Sequence, residues 1–193
     1  MGRLVVTAIT SLDLYVADPD GKWDWATPDD EVHRFVNELE RPVGTYLLGR
    51  RMYEVMKFWE EPAAIDGQPD VMRDYAGIWR AAEKVVYSKT LKEVAGPRTR
   101  IERSFDIDAV RELKESAGTD ISIGGPELAG HAVRAGLVDE YRLLLYPVIV
   151  GAGKRALPGD VFVRLDLIEQ SRVGRGVVFL RYRGDRLAAG EEC

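Results

Sequence analysis

The sequence predicts an α/β fold: a mostly parallel sheet with helices on both faces and an antiparallel edge. Three observations predict it. From residue 3 to about residue 140, short apolar runs of strand length alternate with segments whose apolar residues recur at helical spacing. From Glu140 onward the chain carries strand-like runs and no helical pattern. And three of the apolar runs stop at a glycine or hydroxyl residue followed by polar or helix-opening sequence, at Gly49, Ser88 and Gly124.

Taken in order, residues 3–10 (RLVVTAIT) read as a buried strand running into Ser11–Ala17 and the turn-rich Asp18-Pro19-Asp20-Gly21-Lys22. Thr27-Pro28-Asp29-Asp30 reads as a helix opening, with Thr27 as N-cap, Pro28 at the first position and carboxylates at the positive end of the dipole. Val32, Phe35, Val36 and Leu39 then mark one buried face. Tyr46-Leu47-Leu48 is a strand stopping at Gly49, and Arg50-Arg51-Met52-Tyr53-Glu54 opens a short helix. Val71, Tyr75, Ile78 and Ala82 give another helix, followed by a strand over 84–88. Ser104 or Asp106 caps a helix carrying Ile107, Val110 and Leu113. Ile121-Ser122-Ile123 is a strand; Gly124-Gly125 turns it into a helix opened by Pro126-Glu127 and continued by Leu128, Ala132 and Ala135. Residues 140–150 read as one long strand whose Pro147 belongs at an edge or bulge. A loop over 151–154 and strands near 163–170 and 177–182 complete a single domain of residues 1–186, with 187–193 expected as a flexible tail.

Composition narrows the function. The 193 residues carry a net charge of −5, which argues against nucleic acid and against anionic membrane surfaces as partners. No apolar run reaches the ~18 residues of a membrane span, and the opening residues lack a signal-peptide pattern, so the cytoplasm is the expected location. The one cysteine, Cys193, leaves no intrachain disulfide. No His/Cys/Asp cluster has metal-ligand spacing, and neither a Ser-His-Asp pattern nor a GxxxxGK[ST] loop occurs.

In open α/β sheets ligands bind outside the carboxyl ends of strands. Three such ends deliver Gly49-Arg50-Arg51, Ser88-Lys89-Thr90 and Gly124-Gly125-Pro126-Glu127. Glycine lets backbone N–H groups approach a phosphate closely, and arginines pair with it. A ligand with several phosphates, such as a dinucleotide, suits this set. The GxGxxG fingerprint after the first strand is absent, so any dinucleotide site is of another kind.

Four segments carry a family resemblance: SLDLYVADPDG, LLGRRMYEVM, KVVYSKTL and ISIGGPELAGHAVRAGLVDEYRLLLYPVIVGAGKRALP. Together they resemble the dihydrofolate reductase superfamily, in particular the bacterial branch similar to the reductase domain of the bifunctional riboflavin-biosynthesis deaminase/reductase. The resemblance implies a dihydrofolate reductase-like three-layer α/β/α fold around an eight-stranded, mostly parallel sheet, with NADPH lying extended over the strand ends. It places Gly49, Arg50, Arg51 and Met52 at the pyrophosphate and adenosine 2′-phosphate, and Ser88 and Lys89 beside the 2′-phosphate and ribose. Gly124, Gly125, Pro126, Glu127 and Leu128 match the turn at the pyrophosphate and nicotinamide ribose; Ala8 and Val16 match positions touching the nicotinamide. Two departures stand out: Met52 replaces the usual threonine, and Leu14 stands where glycine is common. The resemblance also implies a homodimer, with the long apolar 140–150 strand as the candidate contact.

Hydride transfer needs positioning and an acid to supply the proton. Glu31, Asp30 and His33 on the first helix are candidates, as is Asp13. Against each stands a plainer role: Asp29 and Asp30 stabilise the helix start, His33 lies on the surface, and Asp13 fixes a strand-to-loop backbone. His131 reads as structural, while Trp23, Trp25 and Tyr53 either wall a planar substrate or pack the core. The expected function is NADPH-dependent reduction of a small planar, heterocyclic molecule, pterin- or pyrimidine-like. The alternative is a nucleotide-binding protein of the same fold without efficient redox catalysis.

Overall fold

A computed structural model describes residues 1–184. Its first half contains β1 (Leu4–Ser11), β2 (Tyr15–Ala17), α1 (Asp30–Glu40), β3 (Val43–Gly49), α2 (Arg50–Met56), α3 (Pro62–Ile65), α4 (Asp70–Ala81) and β4 (Glu83–Tyr87). There follow β5 (Thr99–Glu102), α5 (Ile107–Ser116), β6 (Asp120–Gly124), α6 (Pro126–Arg134), β7 (Glu140–Tyr146), β8 (Lys154–Arg155), β9 (Leu165–Val173) and β10 (Val177–Gly184). Eight strands form one sheet in the order β5-β4-β3-β6-β1-β7-β10-β9. All pairings from β5 to β7 are parallel, and β10 runs antiparallel to both β7 and β9. This is the three-layer, dihydrofolate reductase-like arrangement expected.

Helices cover both faces because the strands are apolar on both. On one face Leu4, Val6, Leu47, Ile121 and Ile123 pack against Val110 of α5 and against Leu128, Ala132 and Val133 of α6. On the other, Tyr46, Leu48 and Val86 pack under Tyr75 and Trp79 of α4, and Leu144 and Phe179 under Val32 and Phe35 of α1. The Phe35 and Phe179 rings meet edge-on at 4.8 Å. Removing a side chain such as Phe179, wholly buried, would cost about 3–5 kcal/mol. Because α1 joins two parallel strands, β1 and β3, it must run back against them. Its first turn therefore stands at the carboxyl edge of the sheet. At the amino edge, Arg3, Arg142 and Arg181 bind Asp120 and Glu140, which open β6 and β7.

Several boundaries differ from expectation. Thr27 does not cap α1; its hydroxyl closes the 24–26 turn by donating to the Asp24 carbonyl at 2.8 Å. Asp29 is the cap, accepting from the backbone N–H of Glu31 and Val32 at 3.1 and 2.9 Å. Of the two candidate caps before α5, Asp106 serves. The 140–150 strand stops at Tyr146, and Pro147, which has no N–H to donate, lies just beyond it. Since β7 is paired on both sides, by β1 and β10, it cannot offer an edge to a second copy. Strands β5 and β8 were not expected: β5 is four residues with two charges, and β8 is two residues paired to β2. The expected tail at 187–193, including Cys193, lies outside the described residues.

Candidate functional site

The carboxyl ends of β3, β4 and β6 meet at a cavity of about 450 Å³. Gly49, Arg50, Arg51 and Met52 line it from the end of β3 and the start of α2. Ser88 and Lys89 enter from the end of β4, and Gly125, Glu127 and Leu128 from the turn into α6. Segments separated in sequence thus share one space. The two glycine turns touch: a methyl group on Gly125 would lie 3.5 Å from Met52 Cβ and 3.7 Å from the Gly49 nitrogen. Gly125 has φ +95°, a region costly to residues with a side chain, and a methyl on Gly124 would come within 3.1 Å of Leu48. The chain therefore passes here with only backbone presented.

Positive charge gathers around this space although the whole chain is acidic. The lining includes Arg50, Arg51, Lys89, Arg103 and Lys154 against one carboxylate, Glu127. Arg50 Nη1 donates to Thr90 Oγ1 at 3.0 Å and its Nε lies 3.4 Å from Glu54, so the guanidinium is oriented. Arg51 is largely exposed and 3.9 Å from Glu127. Lys154 Nζ donates to Glu127 Oε1 at 2.8 Å, and this contact, with Lys154's charge, holds the Glu127 carboxyl below its usual range. The Ser88 hydroxyl accepts from the backbone N–H of Leu91 at 3.0 Å and of Thr90 at 3.3 Å, fixing the loop after β4. Arg103 Nη1 clamps the same loop by donating to the carbonyls of Ser88 and Leu91 at 2.9 and 2.7 Å.

Sequence reasoning missed part of this lining. Arg103 follows the unexpected strand β5. Lys154 reads in the sequence only as loop, whereas Thr90, in the Ser88-Lys89-Thr90 strand end, lines the cavity as that strand end suggests. His131, read as structural, lines the cavity with its ring stacked on Phe105 at 6.0 Å, and Tyr87 also lies tilted against Phe105 at 5.4 Å. The signal was present in the position of His131, one turn beyond the Pro126-Glu127 helix start.

The remaining expected residues lie elsewhere. Ala8 sits mid-strand in β1, and Thr7, Ala8 and Ile9 stay half-exposed even though β6 and β7 flank them. Val16 is in β2, beside the same strand end, and Pro126 opens α6. Asp30 and Glu31 are exposed in the first turn of α1, Asp30 facing Arg34 at 3.9 Å. Asp13 is engaged by the backbone: Val150 and Gly151 donate to its two oxygens at 3.1 and 2.7 Å, and the Ser11 hydroxyl donates at 2.6 Å. Tyr53 is buried, its hydroxyl accepting from the Ala95 N–H at 2.7 Å. A second cavity of about 280 Å³ lies between Trp25, Asp29, Tyr146, Val148 and Arg175; Trp23 stays exposed. Among the described residues no group of His, Cys, Asp and Glu could hold a metal ion, and no helix is long and apolar enough to cross a membrane.

The family model of the RibD C-terminal domain matches residues 3–179. The YyaP protein of Bacillus subtilis is 29% identical over 185 residues, covering 93% of this chain and 94% of its own. Among solved structures, a Shewanella sp. PV-4 protein assigned to riboflavin biosynthesis superposes with a TM-score of 0.72 at 20% identity, over 95% of this chain and 99% of its own. A Thermotoga maritima diaminohydroxyphosphoribosylaminopyrimidine deaminase/5-amino-6-(5-phosphoribosylamino)uracil reductase superposes with a TM-score of 0.66 at 14% identity. That match takes in 95% of this chain and 57% of the Thermotoga chain.

Proposed function

Because the chain belongs to the RibD C-terminal domain family, we propose that it is a cytoplasmic NADPH-dependent reductase acting on a small planar heterocycle, pyrimidine- or pterin-like. The observation that carries this reading is the cation-lined cavity where the Gly49 and Gly124-Gly125 turns touch. The fit to the cofactor rests on the donor set. Arg50, Arg51 and Lys89 supply cations for the phosphate that distinguishes NADPH from NADH. The backbone at Gly124-Gly125, leading into a nine-residue helix, suits a pyrophosphate, since the helix dipole favours anions there. Phe105, His131 and Tyr87 offer flat faces to an adenine ring. Ala8 and Val16 remain the positions for the nicotinamide. When bound, NADPH supplies the hydride; the residues of this chain orient it and hold the acceptor beside it.

One observation favours the second reading, a nucleotide-binding protein without efficient turnover: Asp30 and Glu31 are both exposed rather than lining the cavity. Arg50→Ala separates the two. In a reductase it lowers NADPH affinity about tenfold, the worth of a charge-assisted pair near 1.4 kcal/mol, and turnover at fixed NADPH falls with it. A binder loses affinity and shows no NADPH oxidation, with any heterocyclic carbonyl, imine or pterin, before or after the change.

A further inference from the structure

Strand β5 also ends at the cavity, and the residue after it carries more donors than the fold uses. Tyr87 pairs with Glu102 in parallel register, and the Ser88 N–H donates to the Glu102 carbonyl at 2.9 Å. This register sets Arg103 beside the loop that leaves β4. Its Nη1 donates to the Ser88 and Leu91 carbonyls, which uses both hydrogens of that nitrogen. Nε and Nη2 carry the other three N–H groups, and among the described residues these meet no acceptor. The Nε–H and one Nη2–H lie side by side, a fork that matches two oxygens of a phosphate. Because Nη1 is already clamped, little side-chain freedom remains to be lost when the fork is filled.

The cations lining the cavity differ in what balances them. Lys154 and Arg51 share Glu127, and Arg50 lies 3.4 Å from Glu54. Arg103 and Lys89 have no carboxylate partner among the described residues, although both line the cavity. The unbalanced charge is therefore at the 88–91 loop rather than at the start of α6. Ser88 adds a donor there. It is 8% exposed, and its hydroxyl oxygen accepts from the N–H groups of Thr90 and Leu91, so both lone pairs are engaged and its hydrogen is left to give. Positive charge and donors without a facing carboxylate suit a phosphate monoester, which carries about −2 at pH 7.

We infer that Arg103 is a specificity-determining residue for the coenzyme, its Nε and Nη2 taking two oxygens of the adenosine 2′-phosphate while Nη1 holds the loop. The inference rests on the reductase reading above and adds to it a residue that reading leaves out. Phe105, two residues further on, lines the same cavity, so one segment after β5 serves both the phosphate and the adenine of a single nucleoside. Arg50 and Lys89 contribute charge; Arg103 contributes charge and the paired geometry. NADH has a hydroxyl at this position, which cannot fill the fork or answer its charge.

A role confined to clamping the loop would affect both coenzymes alike, so the ratio of their affinities is the quantity to measure. Wild type, Arg103→Gln and Arg103→Lys are titrated with NADPH and with NADH, following energy transfer from the tryptophans. Arg103→Gln should weaken NADPH about tenfold and leave NADH within twofold. Arg103→Lys keeps the charge without the fork and should fall between, with NADPH about threefold weaker and NADH again unchanged. Circular dichroism checks the fold of each; if the glutamine variant is unfolded, the lysine variant decides on the same criterion. Equal weakening of the two coenzymes, or NADPH affinity unchanged in the folded variants, overturns the inference. A wild type that binds NADPH and NADH equally overturns it too, while a wild type that binds neither sinks the reductase reading instead.

Discussion

The Asp13 carboxylate holds two loops together. The Ser11 hydroxyl, followed by the backbone N–H groups of Val150 and Gly151, pulls it down to about 2. An unfolded aspartate titrates near 3.9. The folded value is the lower one, so the stabilisation is complete above about pH 4 and is lost as pH falls through 2. Asp13→Asn should lower the melting temperature by a few degrees at pH 7, and thermal scans of the two proteins should converge as pH approaches 2. A constant difference across that range would show that the charge is not what matters. At this scale the sequence was partly legible. The spacing of Ser11 and Asp13 within one short segment is visible, but the partners at 150 and 151 are not. Likewise, Asp29, Asp30 and Glu31 look equivalent in the sequence, and only the fold makes Asp29 the cap.

Among the elements, the turn from β1 to β2 carries a conformation that its residue does not favour. Leu14 has φ +64°, and among the described residues it is the non-glycine residue with a positive φ. Its N–H donates to the Ser11 carbonyl and its own carbonyl accepts from Ala156, so the turn is enforced from both sides. The left-handed region costs a side chain about 1–2 kcal/mol, and glycine's extra chain entropy returns about 0.5–1 kcal/mol of that. Leu14→Gly should therefore stabilise the protein by about 0.5–1 kcal/mol in urea unfolding; destabilisation would mean that packing of the leucine outweighs the strain. The strand–glycine–helix unit at 120–134 was readable because its signals are local: an apolar run, paired glycines and Pro126 at the first helical position. Strand β5 was not, because its four residues are defined by the pairing of β4 beside them rather than by their own pattern. The end of β7 at Tyr146 was hidden by apolar residues that continue past it to Val150.

For the whole molecule, the parallel-then-antiparallel order of the sheet followed from the alternation of elements, whereas the lining of the cavity did not, since it assembles residues from 49 to 154. Among the described residues the sheet's free edges are β5 and β9. Leu165 and Leu167 pair with Gly184 and Tyr182, so they share a face with Val178, and all three are exposed. The register skip opposite Arg181 and Tyr182 interrupts β9, which disfavours simple extension of the sheet and leaves side-chain packing as the means of contact. A homodimer, in our proposal, uses this strip. Sedimentation velocity should then find a dimer that Leu167→Lys converts to a folded monomer; a monomeric wild type would refute it. Whether the cations beside the glycine turns hold NADPH is decided by titrating the protein with NADPH and NADH while following energy transfer from its tryptophans. Micromolar NADPH binding at least tenfold tighter than NADH, a difference of about 1.4 kcal/mol, is the predicted result; binding of neither would contradict the account and leave Gly49 and Gly124-Gly125 as turns or as the site of another ligand.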